Sequence, residues 1–361
     1  MGPFDAALLA SAIGLTVPIL LAASGELLAE RAGVLNVGLE GMLLSGAFVS
    51  FLVVWKTGSL VAGAVAGVAA GALLAALMAV VTVDLKGDQI VAGIGINVLA
   101  IGVTTLAYDQ IFGGRAEQVL VETIPAVEIP LLSSLGGVGE ALFAQDPVTY
   151  FAFLLVPVLW FVMFRTTWGL AIRSCGEEPA AADAAGVSVR LVRWATTLAA
   201  GGLAGLGGAY LAIVQLGLFR QEMSAGRGFL ALAAVIFGRW HPFGVLAACV
   251  VFGAADALQL RLQGQEAVAH QVWLAITFLA AAYVVYRIGT TKARPSTGAL
   301  SVALVLAVPG LLLYVTRPSI DLPSQLWLAL PFLLALLALA GAAGRAHMPS
   351  ALTLAFRRGE R

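Results

Sequence analysis

Charge is scarce in this chain. Asp, Glu, Lys and Arg together supply 11% of 361 residues, where a soluble domain carries about 25%. The two signs balance at 20 residues each, so there is no broad basic surface for nucleic acid. Cysteine is nearly absent: Cys175 and Cys249 are the two present, which excludes a disulfide framework. The three histidines, His241, His270 and His347, lie far apart and show no metal-ligand spacing. There is no Gly-x4-Gly-Lys-Ser/Thr phosphate loop, so the chain does not bind ATP by that motif. No nucleophile–base set stands out for a membrane-embedded enzyme. The N-terminus lacks a basic n-region and a small-residue cleavage site, so no signal peptide is expected.

What the chain has instead is apolar length. Hydrophobic residues make up 60% and mean hydropathy is +0.98. Its apolar runs reach the roughly 20 residues that a helix needs to cross a bilayer. They do not alternate polar and apolar as barrel strands do. The expectation is an all-α polytopic membrane protein with about ten transmembrane helices plus a short half-helix. Spans are expected at residues 6–24, from Gly41 to about residue 56, and at 60–83, 90–112, 148–164, 194–216, 243–260, 272–286, 299–315 and 326–341. Residues 229–237 are apolar but too short to span, so they read as a half-helix or re-entrant piece. Residues 25–41 read as a polar, glycine-rich connection dense in charge.

A long polar break with a long apolar run on either side is residues 165–193. It carries Arg165, Arg173, Arg190 and Arg193, the adjacent Glu177 and Glu178, and Asp183. A short helix is legible inside it. Pro179 suits a first helical position. Ala180, Ala181, Ala182, Ala184 and Ala185 favour helix, and Gly186 suits a left-handed stop. Such a small-faced helix on a loop suits docking against a partner; a plain solvated connection is the alternative reading.

Lys and Arg also collect in residues 287–294 and 345–361, whereas residues 113–147 are acidic, with Glu117, Glu122, Glu128, Glu140 and Asp146 against Arg115. The positive-inside tendency then places the central loop and the C-terminal tail in the cytoplasm and residues 113–147 outside. The alternation closes if residues 229–237 enter the membrane from outside. Irregular backbone at that depth must face protein or a water-filled path, so residues 226–242 read as part of a translocation route. Asn36, Glu40, Asn97 and Asp256 are polar groups at or near membrane depth, where such residues face a cavity or a partner or bond between helices. Asn36, Glu40 and Asn97 are the candidates for a substrate path.

Four stretches carry a resemblance. Glu30-Arg-Ala-Gly-Val-Leu-Asn-Val-Gly-Leu-Glu-Gly41 resembles the hallmark segment of permease subunits of bacterial ABC importers for nucleosides and simple sugars. That group is part of the larger set containing ribose and branched-chain amino acid permeases. Lys86-Gly87 before the fourth span agrees, as does Gly176-Glu-Glu-Pro-Ala-Ala-Ala-Asp-Ala-Ala-Gly186. So does Ala231-Leu-Ala-Ala-Val-Ile-Phe-Gly-Arg-Trp-His-Pro-Phe-Gly244, followed by Phe252-Gly-Ala-Ala-Asp-Ala-Leu-Gln259. Together they run from the first span to about Arg287.

The resemblance implies an ABC importer permease core over residues 1–294, with 295–361 adding two spans and a basic tail. It implies a multi-pass protein of the bacterial cytoplasmic (inner) membrane that does no covalent chemistry and holds no cofactor itself. ATP would be bound by a partner ATPase. The implied partners are that cytoplasmic ABC ATPase, a second permease subunit (often a heterodimer), an extracytoplasmic substrate-binding (lipo)protein and membrane lipid. Residues 165–193 would be the element that couples to the ATPase, through Arg173, Gly176, Glu177, Glu178, Pro179, Ala181, Asp183, Ala184 and Gly186. The family usually places Asn before that proline, a better helix cap than Glu178. A stand-alone secondary transporter is the competing class. It would need ion-coupling carboxylates deep in its spans, and Asp256 is the isolated one.

Overall fold

The computed structural model describes residues 6–113, 119–130, 136–263 and 348–356. Within them the chain is helical apart from one two-stranded hairpin. Seven helical segments among the described residues are long and apolar enough to cross a membrane. The three further expected spans, at 272–286, 299–315 and 326–341, lie outside the described residues.

The first helix corrects the sequence reading. α1 runs Ala6–Arg31, past the expected end at residue 24, and carries Glu26 and Glu30 inside it, fully buried. The carboxylates are tolerated because distant groups satisfy them. Glu26 accepts from the Asn36 backbone N–H at 2.8 Å, and Glu30 accepts from Trp240 Nε1. The actual break is residues 32–38, where Gly33 adopts φ +92, a left-handed value that favours glycine.

α2 (Leu39–Thr57) and α3 (Leu60–Ala79) follow, joined by a turn at Gly58. α3 ends in a π-helical turn, Val80–Asp84. Asp88 then caps α4 (Gln89–Phe112) by accepting from the Ile90 and Val91 N–H groups, each at 2.9 Å. The acidic stretch that follows contributes strand β1 (Val127–Glu128), a short helix α5 (Gly136–Phe143) and strand β2 (Ala144–Gln145), with the strands antiparallel. α6 (Pro147–Arg165) opens on Asp146, which accepts from the Thr149 N–H at 2.9 Å.

The central break contains two helices where one was expected. α7 (Thr167–Glu177) precedes α8 (Pro179–Ala184), and Gly186 ends the second at φ +88. α9 (Val189–Tyr210) continues through a π-helical turn, Leu211–Leu216. The half-helix is α10 (Arg227–Phe237), and α11 (Pro242–Gln263) follows it.

α9 is the hub, packed against α1, α2 and α3. Its glycines make that possible. A Cβ at Gly208 would strike the Leu43 carbonyl of α2, and one at Gly205 would strike the Gly67 carbonyl of α3. Backbone-to-backbone approach of this kind replaces the hydrophobic drive that lipid removes. An aromatic cluster seals the far end of α2, where Phe51, Trp55 and Tyr108 ring Phe112 and Phe48 meets Phe219 edge-on at 5.1 Å.

Candidate functional site

The chain between α9 and α11 returns into the body of the protein. Residues 217–226 are irregular, with positive φ at Gly217, Glu222, Ala225 and Gly226. α10 then starts beside α2: Glu40 Oε1 accepts from the Gly226 N–H at 2.8 Å and Glu40 Oε2 from the Gly228 N–H at 2.7 Å. A carboxylate at this helix N-terminus satisfies donors that no helical carbonyl reaches, and it complements the positive end of the helix dipole. Gly228 is required for this contact, because a Cβ there would overlap the backbone of Glu40. The turn after α10 is held by Arg31, which donates to the Trp240 carbonyl through Nε at 3.0 Å and Nη2 at 2.7 Å.

A cleft of about 1050 Å³ opens beside this element. Its walls come from the start of α1 (Ser11, Gly14), the end of the α9 segment (Gln215), Arg220 and Arg227, and the last turns of α11 (Asp256, Gln259). These are the helix ends opposite α7 and α8. Leu15, Leu211 and Leu230 supply apolar wall. Arg227 Nη2 stands 3.5 Å from Asp256 Oδ2, and both side chains are mostly enclosed. Arg227 Nη1 donates to the Met223 and Ser224 carbonyls, each at 3.3 Å, while its Nε has no hydrogen-bond partner among the described residues. The cleft is therefore lined by a guanidinium, a carboxylate and two amides against an apolar wall. That inventory suits a neutral polyhydroxyl solute.

The three residues expected along the path each make hydrogen bonds to backbone groups. Asn97 Oδ1 accepts from the Gly41 N–H at 2.8 Å and its Nδ2 donates to the Val37 carbonyl at 3.0 Å. Asn36 Oδ1 accepts from the Gly38 N–H at 3.1 Å, and its Nδ2 contacts the Met42 sulfur at 3.3 Å. Asn36, Glu40 and Asn97 are all buried and none lines the cleft. Their bonds hold the 32–38 break against α4 and, through Glu40, the start of α10. Sequence reasoning marked residues 226–242 and Asp256 separately. What it lacked was the meeting of Arg227 with Asp256, two residues of unexceptional spacing on different helices.

On the opposite face, α7 and α8 lie under the ends of α1 and α9. Ile172, Cys175 and Ala182 pack with Ala32, Val189 and Val192. Burial raises the Cys175 thiol above its ordinary pKa, and the Arg193 charge partly opposes this. Gly176 has no room for a side chain, because a Cβ would strike the Arg31 carbonyl. With Ala182 turned inward, Glu177, Glu178, Ala181, Ala184 and Gly186 are left exposed, while Arg173, Pro179 and Asp183 are half-buried. The Glu178 side chain makes no capping bond to α8. The start of α9 is tied to the α3–α4 turn, where Arg190 pairs with Asp84 at 2.6 Å and Trp194 Nε1 donates to the same carboxylate at 3.1 Å. Among the described residues no cluster of His, Cys, Asp and Glu is arranged for a metal.

Glycine-packed helices long and apolar enough to span, with a shorter apolar helix beside a polar cleft, define a multi-pass membrane protein. The chain matches the family described as branched-chain amino acid transport system / permease component over residues 8–282, and it belongs to that family. It is 40% identical over 264 residues to the provisionally named glucose ABC transporter permease protein TsgC13 of Haloferax volcanii, covering 72% of this chain and 79% of the relative. It is 36% identical over 256 residues to the nucleoside ABC transporter permease protein NupC of Lactococcus lactis (67% and 78% covered). It is 34% identical over 250 residues to the guanosine ABC transporter permease protein NupQ of Bacillus subtilis (67% and 78% covered). No solved structure matches. The protein is thus a non-catalytic permease component of an ABC transporter. Such a component works in general with an ATPase and a binding protein.

Proposed function

We propose that this permease imports nucleosides, or related simple sugars, across the bacterial cytoplasmic membrane by alternating access. The cleft is the observation that carries the reading. It is large enough for a nucleoside, it presents Arg227, Asp256, Gln215 and Gln259 to hydroxyls and amides, and it lies at the helix ends away from α8. In the orientation drawn from Lys and Arg, that end faces outside, where a binding protein releases solute. The relatives named for nucleoside, guanosine and glucose transport support the substrate class. Asn36, Glu40 and Asn97 serve the path by fixing the 32–38 break and the re-entrant segment rather than by touching solute.

α8 is the docking element for the ATPase. Its exposed alanines admit a close partner surface, with Glu177, Glu178 and Asp183 at the rim, Arg173 behind it and Gly176, Pro179 and Gly186 setting the backbone. ATP-driven closure of the ATPase pair displaces α8, and the spans rock about the glycine contacts of α9. A second permease subunit completes the membrane part, as heterodimer or homodimer. Asp256 is engaged by Arg227 and so is not the free deep carboxylate that ion coupling needs. Affinity purification of the tagged chain in mild detergent tests the assembly. An ABC ATPase should co-elute with nucleotide hydrolysis, and a permease purified intact without any ATPase would contradict it.

A further inference from the structure

The C-terminal tail returns to the coupling face. Residues 348–356 lie beyond the span matched by the family, yet they are bonded into its α7–α8 module. The Ala351 N–H donates to the Gly176 carbonyl at 2.8 Å. The Ser350 N–H and Oγ both donate to Glu177 Oε2, at 3.3 and 3.1 Å. These bonds hold the last turn of α7, immediately before Pro179.

The same segment is held by the membrane helices. Arg193 of α9 donates through Nη1 to the Leu354 carbonyl at 2.8 Å and through Nε to the Ala32 carbonyl, after α1, at 3.1 Å. One buried guanidinium thus bridges the tail, the end of α1 and the start of α9. Gly33 leaves the space for this junction, since a Cβ there would stand 2.7 Å from Arg193 Nη2 and 3.1 Å from the Ala351 carbonyl oxygen. Ala351 and Leu352 are buried. Phe356 packs on the patch formed by Ala32, Ile172, Cys175, Ala182, Val189 and Val192.

We propose that residues 348–356 are a positioning element for energy coupling, a clamp that fixes α7 and α8 to the end of α1 and the start of α9. Displacement of α8 by the ATPase then moves those two spans instead of merely bending the loop. The bonds to backbone carbonyls and the burial of Ala351 and Leu352 make this a packed joint and not a loose contact. This rests on the reading of α8 as the ATPase-docking helix.

The test uses the complete transporter, with its ATPase, partner permease and binding protein, in proteoliposomes. Uptake is measured per ATP hydrolysed for whichever of adenosine, guanosine, uridine and thymidine the wild type carries best. A chain ending at His347 should keep its ATPase and hydrolyse ATP, but uptake per ATP should fall about fivefold or more, the scale of a typical coupling free energy. The milder pair Ser350→Ala with Phe356→Ala should lower the same ratio, and it decides the matter if the truncated chain does not assemble. A wild-type ratio without the clamp overturns the proposal. Ala184→Glu separates the two readings: if it leaves an active ATPase bound, the docking reading fails. If it releases the ATPase while the tail variants couple normally, the clamp alone fails.

Discussion

The Glu40 carboxylate accepts a hydrogen bond from the Gly228 backbone N–H at 2.7 Å, across 188 residues of chain. With its second oxygen on the Gly226 N–H, it fixes where the half-length helix α10 begins, and so where Arg227 stands in the cleft. Glu40→Ala leaves one buried and one half-buried donor unsatisfied, at about 2–3 kcal/mol for lost hydrogen bonds to a charged group. Glu40→Gln keeps one good acceptor and should lose roughly half of that. Thermal unfolding of the purified complex should rank wild type above Gln above Ala, with uptake falling in the same order. Equal melting of all three would show that the contact does not hold α10.

The glycine contacts predict a steric failure. Gly208→Ala places a Cβ against the Leu43 carbonyl, and overpacking a tight helix contact costs about 1–3 kcal/mol. Gly58→Ala is a control for crowding, since a Cβ at Gly58 meets nothing within 4 Å; its φ of +67 makes it a test of backbone strain alone. Melting should drop for both, and uptake relative to folded protein only for Gly208→Ala.

At the cleft, Arg227→Met and Asp256→Asn should each reduce uptake at least about tenfold, the effect of losing one good polar contact to a solute. ATPase co-purification should be unchanged. Arg227→Met with Asp256→Met removes the charge pair entirely. It should fold better than Arg227→Met alone, because a single enclosed charge left without its partner is the worse case. Normal uptake by both single variants would move the route away from this cleft.

At α8, Ala184→Glu and Ala181→Arg put a charge on the exposed small face. They should lose the ATPase on purification, at a few kcal/mol for an unpaired interface charge. Insertion and permease pairing should persist, because Ala182 is the alanine of this helix that packs inward. Gly186→Val should act more mildly, through strain at φ +88.

Local signals made much of this architecture legible. Pro179 and Gly186 punctuate α8, and both α10 and the half-length of its apolar run could be read directly. α7 was hidden because Gly169, Arg173 and Gly176 interrupt its pattern; Gly176 is there for the close approach to Arg31, which no local rule shows. The true end of α1 was hidden for a similar reason. Glu26 and Glu30 read as a solvated connection until their partners, one of them Trp240 at a separation of 210 residues, are brought alongside. Glu40, Asn36 and Asn97 were conspicuous as polar residues near the membrane, but their backbone partners in the 32–38 break and at the start of α10 were not legible. The cleft itself depends on α1, α9, α10 and α11 converging, which is tertiary information.

Uptake by the reconstituted transporter tests the central claim most directly. Proteoliposomes containing this permease, its partner subunit and the ATPase are supplied with loaded binding protein outside and a radiolabelled nucleoside. Accumulation should require ATP on the ATPase side and should vanish with Ala184→Glu, and a proton or sodium gradient without ATP should not support it. Gradient-driven accumulation by the permease alone, with no ATPase present, would contradict the account and make the chain a secondary transporter.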